Sequence, residues 1–590
     1  MRVSHLLAVP VLLTLSAGAV AQAPAKSAAR VLALIPAQAQ AVVYYPDVKR
    51  LEAKWSKVAG PFGGKEGFLR LKGQTGIDPA RLGPGPLLRV SLRASGAAET
   101  WAWLVPAKDP KAVLKGLKPT GTGGVWTWEA PVSTSKAKGK TPAKALAPTA
   151  WFGTATAGYL VVADSEACLA AFKKPAGTLA AELAPYAAWL ERHDVSVVAT
   201  KAAIEEAAQA AGQAFKRTPA EPKEGGKPAV PTSKLVSRFQ GKFDRWAELA
   251  KTSVHHVLGS LDVSEDGGLM FEAQALLSPG SPLSRELASL TPVAGHPLKG
   301  LATSDFALAL GGEWSGLVDF QSAFLETLDT AGKVQPATLA RLQKALEAQN
   351  SLARSVAGTF SAPVPRGSLL SGLTSLVRVT DSKAYLAATE ETSLAQSAFF
   401  QELGMDAAVA FSRDILPGVP SCGVTTRLSQ KGDDPATASY RAAMAMIFGG
   451  DAIQMSMGAL DEHQVLAVLG GPELLKARLD TLQKAPEGLA PSIVAVEPDL
   501  GRDHRFVLYL DPRGLRDFAQ VVAAMFKGGA TEVNLPAIPE VPAAGLTLSL
   551  DPTVLELRGS VRAETLKATA TLVKAIGALF PANQGDKAKH

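Results

Sequence analysis

A short apolar strand that runs into a turn and then a helix occurs repeatedly in this chain. The order of these units constrains the fold more than any single motif does. Residues 101–106 run into Asp109-Pro110, 159–163 into Asp164, and 195–199 into Thr200. Residues 376–379 run into Asp381, 465–469 into Gly471-Pro472, and 506–510 into Asp511-Pro512. Asp or Thr at such a point caps a helix by accepting a backbone N–H bond. A following Pro suits the first helical turn, where its missing N–H would be unpaired anyway.

The units fall into the same order twice. The first half opens with a strand at 41–45, Asp47 and a helix through Trp55; the second opens with 306–310 and a helix near 317–328. Units at 101–117, 159–173 and 195–210 follow in the first half, matched by 376–389, 465–479 and 506–523. Each half closes with a hairpin and a helix. Residues 255–263 turn at Glu265-Asp266-Gly267-Gly268 and return as 269–277, with a helix from Ser281. Residues 546–550 turn at Asp551-Pro552-Thr553 and return as 554–561, with a helix from Glu564. The period of roughly 290 residues is too long for a solenoid repeat.

The expectation is therefore an α+β chain of two similar tandem domains, residues 31–297 and 298–580, with a disordered tail at 581–590. Each domain is expected to be an antiparallel sheet covered by helices, built from strand–turn–helix units. In the last strand Leu555, Leu557 and Gly559 alternate with Glu556, Arg558 and Ser560, as in a half-buried antiparallel strand. Phe239, Phe243, Trp246 and Leu249 share one face of a helix and form a stripe suited to burial on a sheet.

Residues 1–23 read as a secretory signal peptide. Arg2 supplies the positive start, residues 6–20 are apolar apart from Thr14 and Ser16, and Ala19-Val20-Ala21 is a small-x-small cleavage site that would leave Gln22 first. The run is shorter than the roughly 20 residues a spanning helix needs, and no later run is long and apolar enough to span. No Cys stands at the cleavage site to carry a lipid anchor. The mature chain is thus expected in the periplasm or outside the cell, without a transmembrane segment.

The 590 residues carry a formal charge of +7, which at first suggests an acidic partner. Its placement argues otherwise. Residues 133–148 hold Lys136, Lys138, Lys140 and Lys144 with no acid. Residues 216–234 hold Lys216, Arg217, Lys223, Lys227 and Lys234 against Glu221 and Glu224. These two Pro-, Gly- and Ala-rich stretches read as flexible basic loops and account for the whole excess. No aromatic residues interleave with the lysines, so a nucleic-acid partner is not expected.

The motifs that would license an enzyme are missing. Gly312-Glu313-Trp314-Ser315-Gly316 has its serine one place late for a nucleophile elbow. Gly60-Pro61-Phe62-Gly63-Gly64-Lys65 has the wrong spacing for a phosphate loop, and Glu66 stands where Ser or Thr would hold magnesium. Gly83-Pro84-Gly85 lacks a dinucleotide loop's third glycine. Ser133 and Lys136 have serine–lysine spacing but fall in a flexible loop. His255 and His256 are neighbours on a strand and point to opposite faces, so they do not chelate one metal. Ser264-Glu265-Asp266-Gly267 has too few oxygen donors for a calcium loop.

Two sets of residues stand out as candidate surface features. Glu497, Asp499, Asp503 and His504 are the densest group of possible ligands. Pro498 and Gly501 among them favour a solvated turn over a metal site. Trp101 with Trp103, and Trp126 with Trp128, have the two-residue spacing that puts each pair on one strand face. They would form either a platform for a sugar or apolar ligand or a packed sheet face. Cys168, at the start of a helix, and Cys422, in a loop, read as separate thiols or as a pair joining the halves. No catalytic, cofactor-binding or metal-ligating residue is assigned, and no cofactor is expected.

The chain resembles a family of exported bacterial proteins classified only as a domain of unknown function. The likeness rests on Leu34-Ile35-Pro36-Ala37, Ala41-Val42-Val43-Tyr44-Tyr45, Gly76-Ile77-Asp78-Pro79, residues 104–110 and residues 376–385. It implies an exported, non-catalytic protein and carries over no site residue. The functional expectation is an envelope protein that binds or scaffolds a partner. A periplasmic carrier of a lipid or other apolar ligand is the alternative, and a hydrolase without a recognisable motif is the third.

Overall fold

A computed structural model describes residues 26–579, except 65–66, 70, 93–99, 122–123, 131–149, 174, 217–246, 290–294, 302–305, 314–333, 363–368, 404–405, 430–451, 485–487, 502–503 and 527–532. Residues 1–23, read above as a signal peptide, residues 133–148 and 217–234, the helix expected near 317–328 and residues 581–590 lie outside the described residues, as do Phe239, Phe243 and Trp246. The chain mixes helices and strands on antiparallel sheet, and it divides into two compact units. The first holds Met1–Ala210, Ala247–Leu290 and Leu550–Arg558; the second holds Ala211–Trp246, Thr291–Ser549 and Gly559–His590. A segment from near the chain's end thus belongs to the first unit, which a linear division at 297/298 does not anticipate.

The first unit has strands β1 (Ala39–Tyr45), β2 (Leu87–Leu92), β3 (Thr100–Pro106), β4 (Val125–Glu129), β5 (Ala150–Thr156), β6 (Tyr159–Ala163), β7 (Val195–Ala199), β8 (Val254–Val263) and β9 (Leu269–Leu277). Their antiparallel pairings set the order β4–β5–β6–β3–β2–β1–β7–β8–β9. One face carries Val42, Tyr44, Leu88, Val90, Leu104 and Val161, buried under Val31, Leu32, Leu169, Leu183 and Leu190 from helices Lys26–Leu32, Glu166–Lys173, Ala180–Leu183 and Ala187–Arg192. Helix Val48–Ala59 starts where Asp47 accepts the Arg50 amide at 3.0 Å. Its Lys54 is tied to the start of β7 by a buried ion pair with Asp194 at 2.7 Å. Removing either partner would leave a buried charge, at a cost of about 3–5 kcal/mol.

The second unit has β10 (Leu308–Glu313), β11 (Ala353–Phe360), β12 (Leu373–Val379), β13 (Asp406–Arg413), β14 (Ser421–Ser429), β15 (Ala452–Asp461), β16 (Gln464–Leu469), β17 (Phe506–Leu510) and β18 (Ala544–Asp551), the last as far as Ser549. The antiparallel order is β13–β14–β15–β16–β12–β11–β10–β17–β18. Helix Pro491–Leu500 lays Ile493, Val496 and Leu500 on Ala309, Leu376 and Val507. Helix Pro472–Lys484 lays Leu475 and Leu479 on Leu466 and Val468 of the same face. The opposite face, with Val377, Val379, Val465 and Met457, lies under Tyr385 and Leu386 of helix Ser382–Glu402. Helix Pro336–Leu352 packs on that helix in turn. The alternation of adjacent Leu376 and Val377 between two helical layers follows from the two-residue period of a strand.

Not every predicted cap closes its helix. Asp164 accepts the Trp101 amide while Ser165 takes the Cys168 amide, and the Thr200 hydroxyl donates to the Gln40 carbonyl. Others are where the helices start. Asp109, Asp381 and Ser281 each accept a backbone amide of the following turn. Asp511 accepts the Arg513 amide at 2.8 Å. Cys422 departs from its expected loop: it is buried in β14.

Candidate functional site

Helix Pro491–Leu500 places the densest polar group of the second unit. Pro491 fits its first turn, Pro498 lies inside it, and Gly501 ends it at a φ of 91°. Glu497 and Asp499 are therefore helical, which corrects the solvated turn. The apolar stripe of Ile493, Val496 and Leu500 holds the helix on the sheet despite the amide that Pro498 lacks. Glu497 reaches Tyr509 of β17, whose ring is fully buried. Gly545 of the neighbouring β18 makes room: a Cβ there would lie 2.5 Å from Leu500 Cδ1 and 3.2 Å from the Tyr509 ring.

Four groups converge at this point. The Tyr509 hydroxyl donates to Glu497 Oε1 in a short bond. His296 Nε2 is 3.4 Å from the same oxygen and 3.2 Å from the Tyr509 hydroxyl. The Leu298 amide donates to His296 Nδ1 at 3.2 Å, so Nδ1 is an acceptor and Nε2 carries the proton that points at Glu497 and Tyr509. His504 Nε2 lies 3.4 Å from Glu497 Oε2, within ion-pair reach but not aligned as a hydrogen bond. Burial alone would raise the Glu497 pKa, but the His296 and Tyr509 hydrogen bonds and the nearby His504 ring outweigh it and hold the carboxylate well below its usual range. Burial, reinforced by the bond to Glu497, pushes the Tyr509 phenol far above its usual range. A carboxylate this weakly basic and a phenol this weakly acidic make poor proton-transfer partners near neutral pH. The arrangement locks the helix to the sheet.

Asp499, two residues on, takes a different course. It accepts Ser560 Oγ at 3.0 Å and Arg562 Nε at 3.0 Å. Asp503 lies outside the described residues. Of the four residues singled out together, Glu497 and His504 meet and Asp499 does not join them. Among the described residues no three His, Cys, Asp or Glu side chains gather as a metal ion would require. His296 and Tyr509 were missed by the sequence reading. His296 comes from 201 residues before Glu497, and nothing local marks either as its partner.

The four tryptophans lie on one face of the first sheet. Trp103 and Trp101 stand opposite Arg89 and Ser91, and Trp128 opposite Trp151. Trp103 and Trp128 are buried; Trp103 stacks on Tyr45, and Trp128 Nε1 donates to the Thr75 carbonyl at 2.8 Å. Trp101 is half-buried under the Arg89 guanidinium, 3.9 Å from its ring centre. Trp126 is half-buried. The face is packed rather than laid open as a platform. In the same unit His256 bonds Tyr186 and Glu182 at 3.3 and 2.9 Å, while its neighbour His255 is half-buried. Cys168 and Cys422 are buried free thiols, and burial pushes them up to about 11 and about 12.

A cavity of about 230 Å³ opens in the second unit between helix Pro472–Lys484 and the start of helix Pro512–Phe526. Arg478, Arg513, Asp511, Asp517, Thr359, Thr374 and Ser361 supply its polar lining; Leu301, Phe306 and Leu482 are among its apolar lining. Gly514 lets the second helix begin here, because a Cβ would strike the Phe306 carbonyl oxygen at 1.9 Å. The chain matches no protein-family model, no curated protein and no solved structure.

Proposed function

We propose that this chain is an exported, non-catalytic envelope protein, built from two copies of one α+β fold, that binds or scaffolds a partner. Membership in the exported family that the chain resembles is part of the proposal. The duplication is supported by the two strand orders. β1 to β3 correspond to β10 to β12, β6, β5 and β4 to β16, β15 and β14, and β7 and β8 to β17 and β18; of the strands named, β13 and β9 have no counterpart, each at one edge of its sheet. Corresponding helices also cover corresponding faces. Those after β6 bury Leu104 and Val161, and those after β16 bury Leu376 and Leu466.

The observation that carries the non-catalytic reading is the closure of the His296–Glu497–Tyr509 group on itself. The carrier of an apolar ligand is disfavoured by the character of the cavity in the second unit, which two arginines and two aspartates line. Among the described residues no helix is long and apolar enough to cross a membrane.

The test is cross-linking in intact cells, followed by fractionation and N-terminal sequencing. A chain beginning at Gln22, joined to one defined polypeptide in the envelope fraction, is expected. A chain that keeps residues 1–21 and stays in the cytoplasm would sink the reading.

A further inference from the structure

We propose that the cavity between helices Pro472–Lys484 and Pro512–Phe526 binds a small monocarboxylate that carries hydroxyl or amino groups. The proposal stands apart from partner binding, since it concerns one unit and one cavity.

The carboxylate is assigned by Arg478. Leu475 and Leu479 anchor its helix on Leu466 and Val468, and the side chain between them lines the cavity. Its Nε is buried and, among the described residues, has no hydrogen-bond acceptor. A guanidinium presents its N–H groups as a fixed planar fork that matches a carboxylate in two parallel bonds. The other cation of the lining, Arg513, stands within 4.0 Å of Glu540, so Arg478 carries the unmatched charge.

The rest of the ligand is set by the opposite wall. Asp511 and Asp517 put two carboxylates into the same cavity. Asp511 Oδ1 already accepts the Arg513 and Gly514 amides at 2.8 and 3.4 Å. Asp517 is paired with Arg516, so Asp511 is the acid that opposes a second negative charge on the ligand, which argues against a phosphate dianion. The same groups accept hydrogen bonds from a hydroxyl or an ammonium. Thr359, Ser361 and Thr374 add hydroxyls, and Leu301, Phe306 and Leu482 offer contact to a short carbon chain. A volume of about 230 Å³ equals roughly seven or eight waters at ~30 Å³ each, which suits a ligand of similar heavy-atom count. The class is that of small amino acids and small hydroxy acids.

Titration calorimetry of the full mature chain with L-serine, D-glycerate, glycerol and inorganic phosphate tests this. One saturable site for serine or glycerate is expected, with the neutral triol and phosphate at least about tenfold weaker. Preference for serine would assign the aspartates to an ammonium, and preference for glycerate to a hydroxyl; both support the site. Arg478→Gln should weaken the acid about tenfold or more while the circular dichroism stays unchanged. If that variant fails to fold, Arg478→Lys, which keeps the charge without the fork, should show the loss. Absence of binding by both acids, binding indifferent to both Arg478 variants, or phosphate binding as tightly as the acids would overturn the proposal. None of these outcomes bears on whether a protein partner is cross-linked in the envelope.

Discussion

Arg558 reaches back 286 residues to Glu272 and bonds it at 3.2 Å, inside the first unit. Glu556 sits beside both. It lies 2.8 Å from Arg558, with the Glu272 carboxylate next to it. Burial, and then the neighbouring Glu272, push Glu556 up to about 7, whereas Glu272 is lowered: burial opposes that shift, and the neighbouring Glu556 and the Arg558 charge outweigh it.

This arrangement makes the first unit pH-sensitive in a stated direction. The Glu556 pKa is higher in the folded chain than its ordinary 4.5, so its contribution is complete below 4.5 and is lost as pH rises through about 7. Thermal melts from pH 5 to 8.5 should show the first transition falling with pH. Glu556→Gln, which keeps a donor and no charge, should flatten that slope. A slope unchanged in the variant would rule the pair out as its source.

The second unit should respond in the opposite sense. The Glu497 pKa is held below its ordinary value, so its contribution is present above 4.5 and is lost as pH falls toward the folded value. Tyr509→Phe removes the donor to Glu497 and the acceptor for His296, and should cost about 1–3 kcal/mol. The melting temperature of the second unit should drop by a few degrees, with no change in any cellular phenotype that depends on the protein. Loss of phenotype with an unchanged melt would instead make the group catalytic.

Gly514→Ala should be far more damaging than its size suggests. The added Cβ meets a backbone carbonyl at 1.9 Å, and backbone cannot step aside as a flexible side chain can. A loss of more than about 3 kcal/mol is expected, read as insoluble expression or a collapsed second transition. Gly577→Ala is the control, since nothing lies within 4 Å of its Cβ position.

The two thiols should resist modification until the chain unfolds. Burial holds both above the neutral range, which leaves almost no thiolate to react. A thiol-exchange dye should report no labelling in buffer and two groups per chain in denaturant. Rapid labelling in buffer would show that one of the cores opens.

What the sequence could show was local. An Asp or Ser before a helix announces its cap within four residues, so Asp47, Asp109, Asp381 and Ser281 could be placed from the chain alone. The order of strand–turn–helix units along the chain was legible because caps and hairpins punctuate it, whereas the order of strands across each sheet is set by long-range pairing that no local signal marks. The polar group around Glu497 was misjudged because Pro498 and Gly501 are turn-forming by composition, while the stripe of Ile493, Val496 and Leu500 outweighs them through burial. His296 and Tyr509 reach Glu497 only through topology. The same is true of Glu556, whose alternating strand looks solvated on its polar side until Glu272 arrives from far back along the chain. Arg478 looks like an ordinary charge on an amphipathic helix, and only the neighbouring helix start turns its position into a cavity wall.

The central claim is an exported, non-catalytic protein held to a partner, and native mass spectrometry of the protein from its own envelope fraction, before any detergent step, tests it most directly. The expected result is a chain that begins at Gln22 and carries one polypeptide in fixed stoichiometry. A chain of that mass alone, or one loaded with a lipid-sized apolar molecule in place of a polypeptide, would contradict the account.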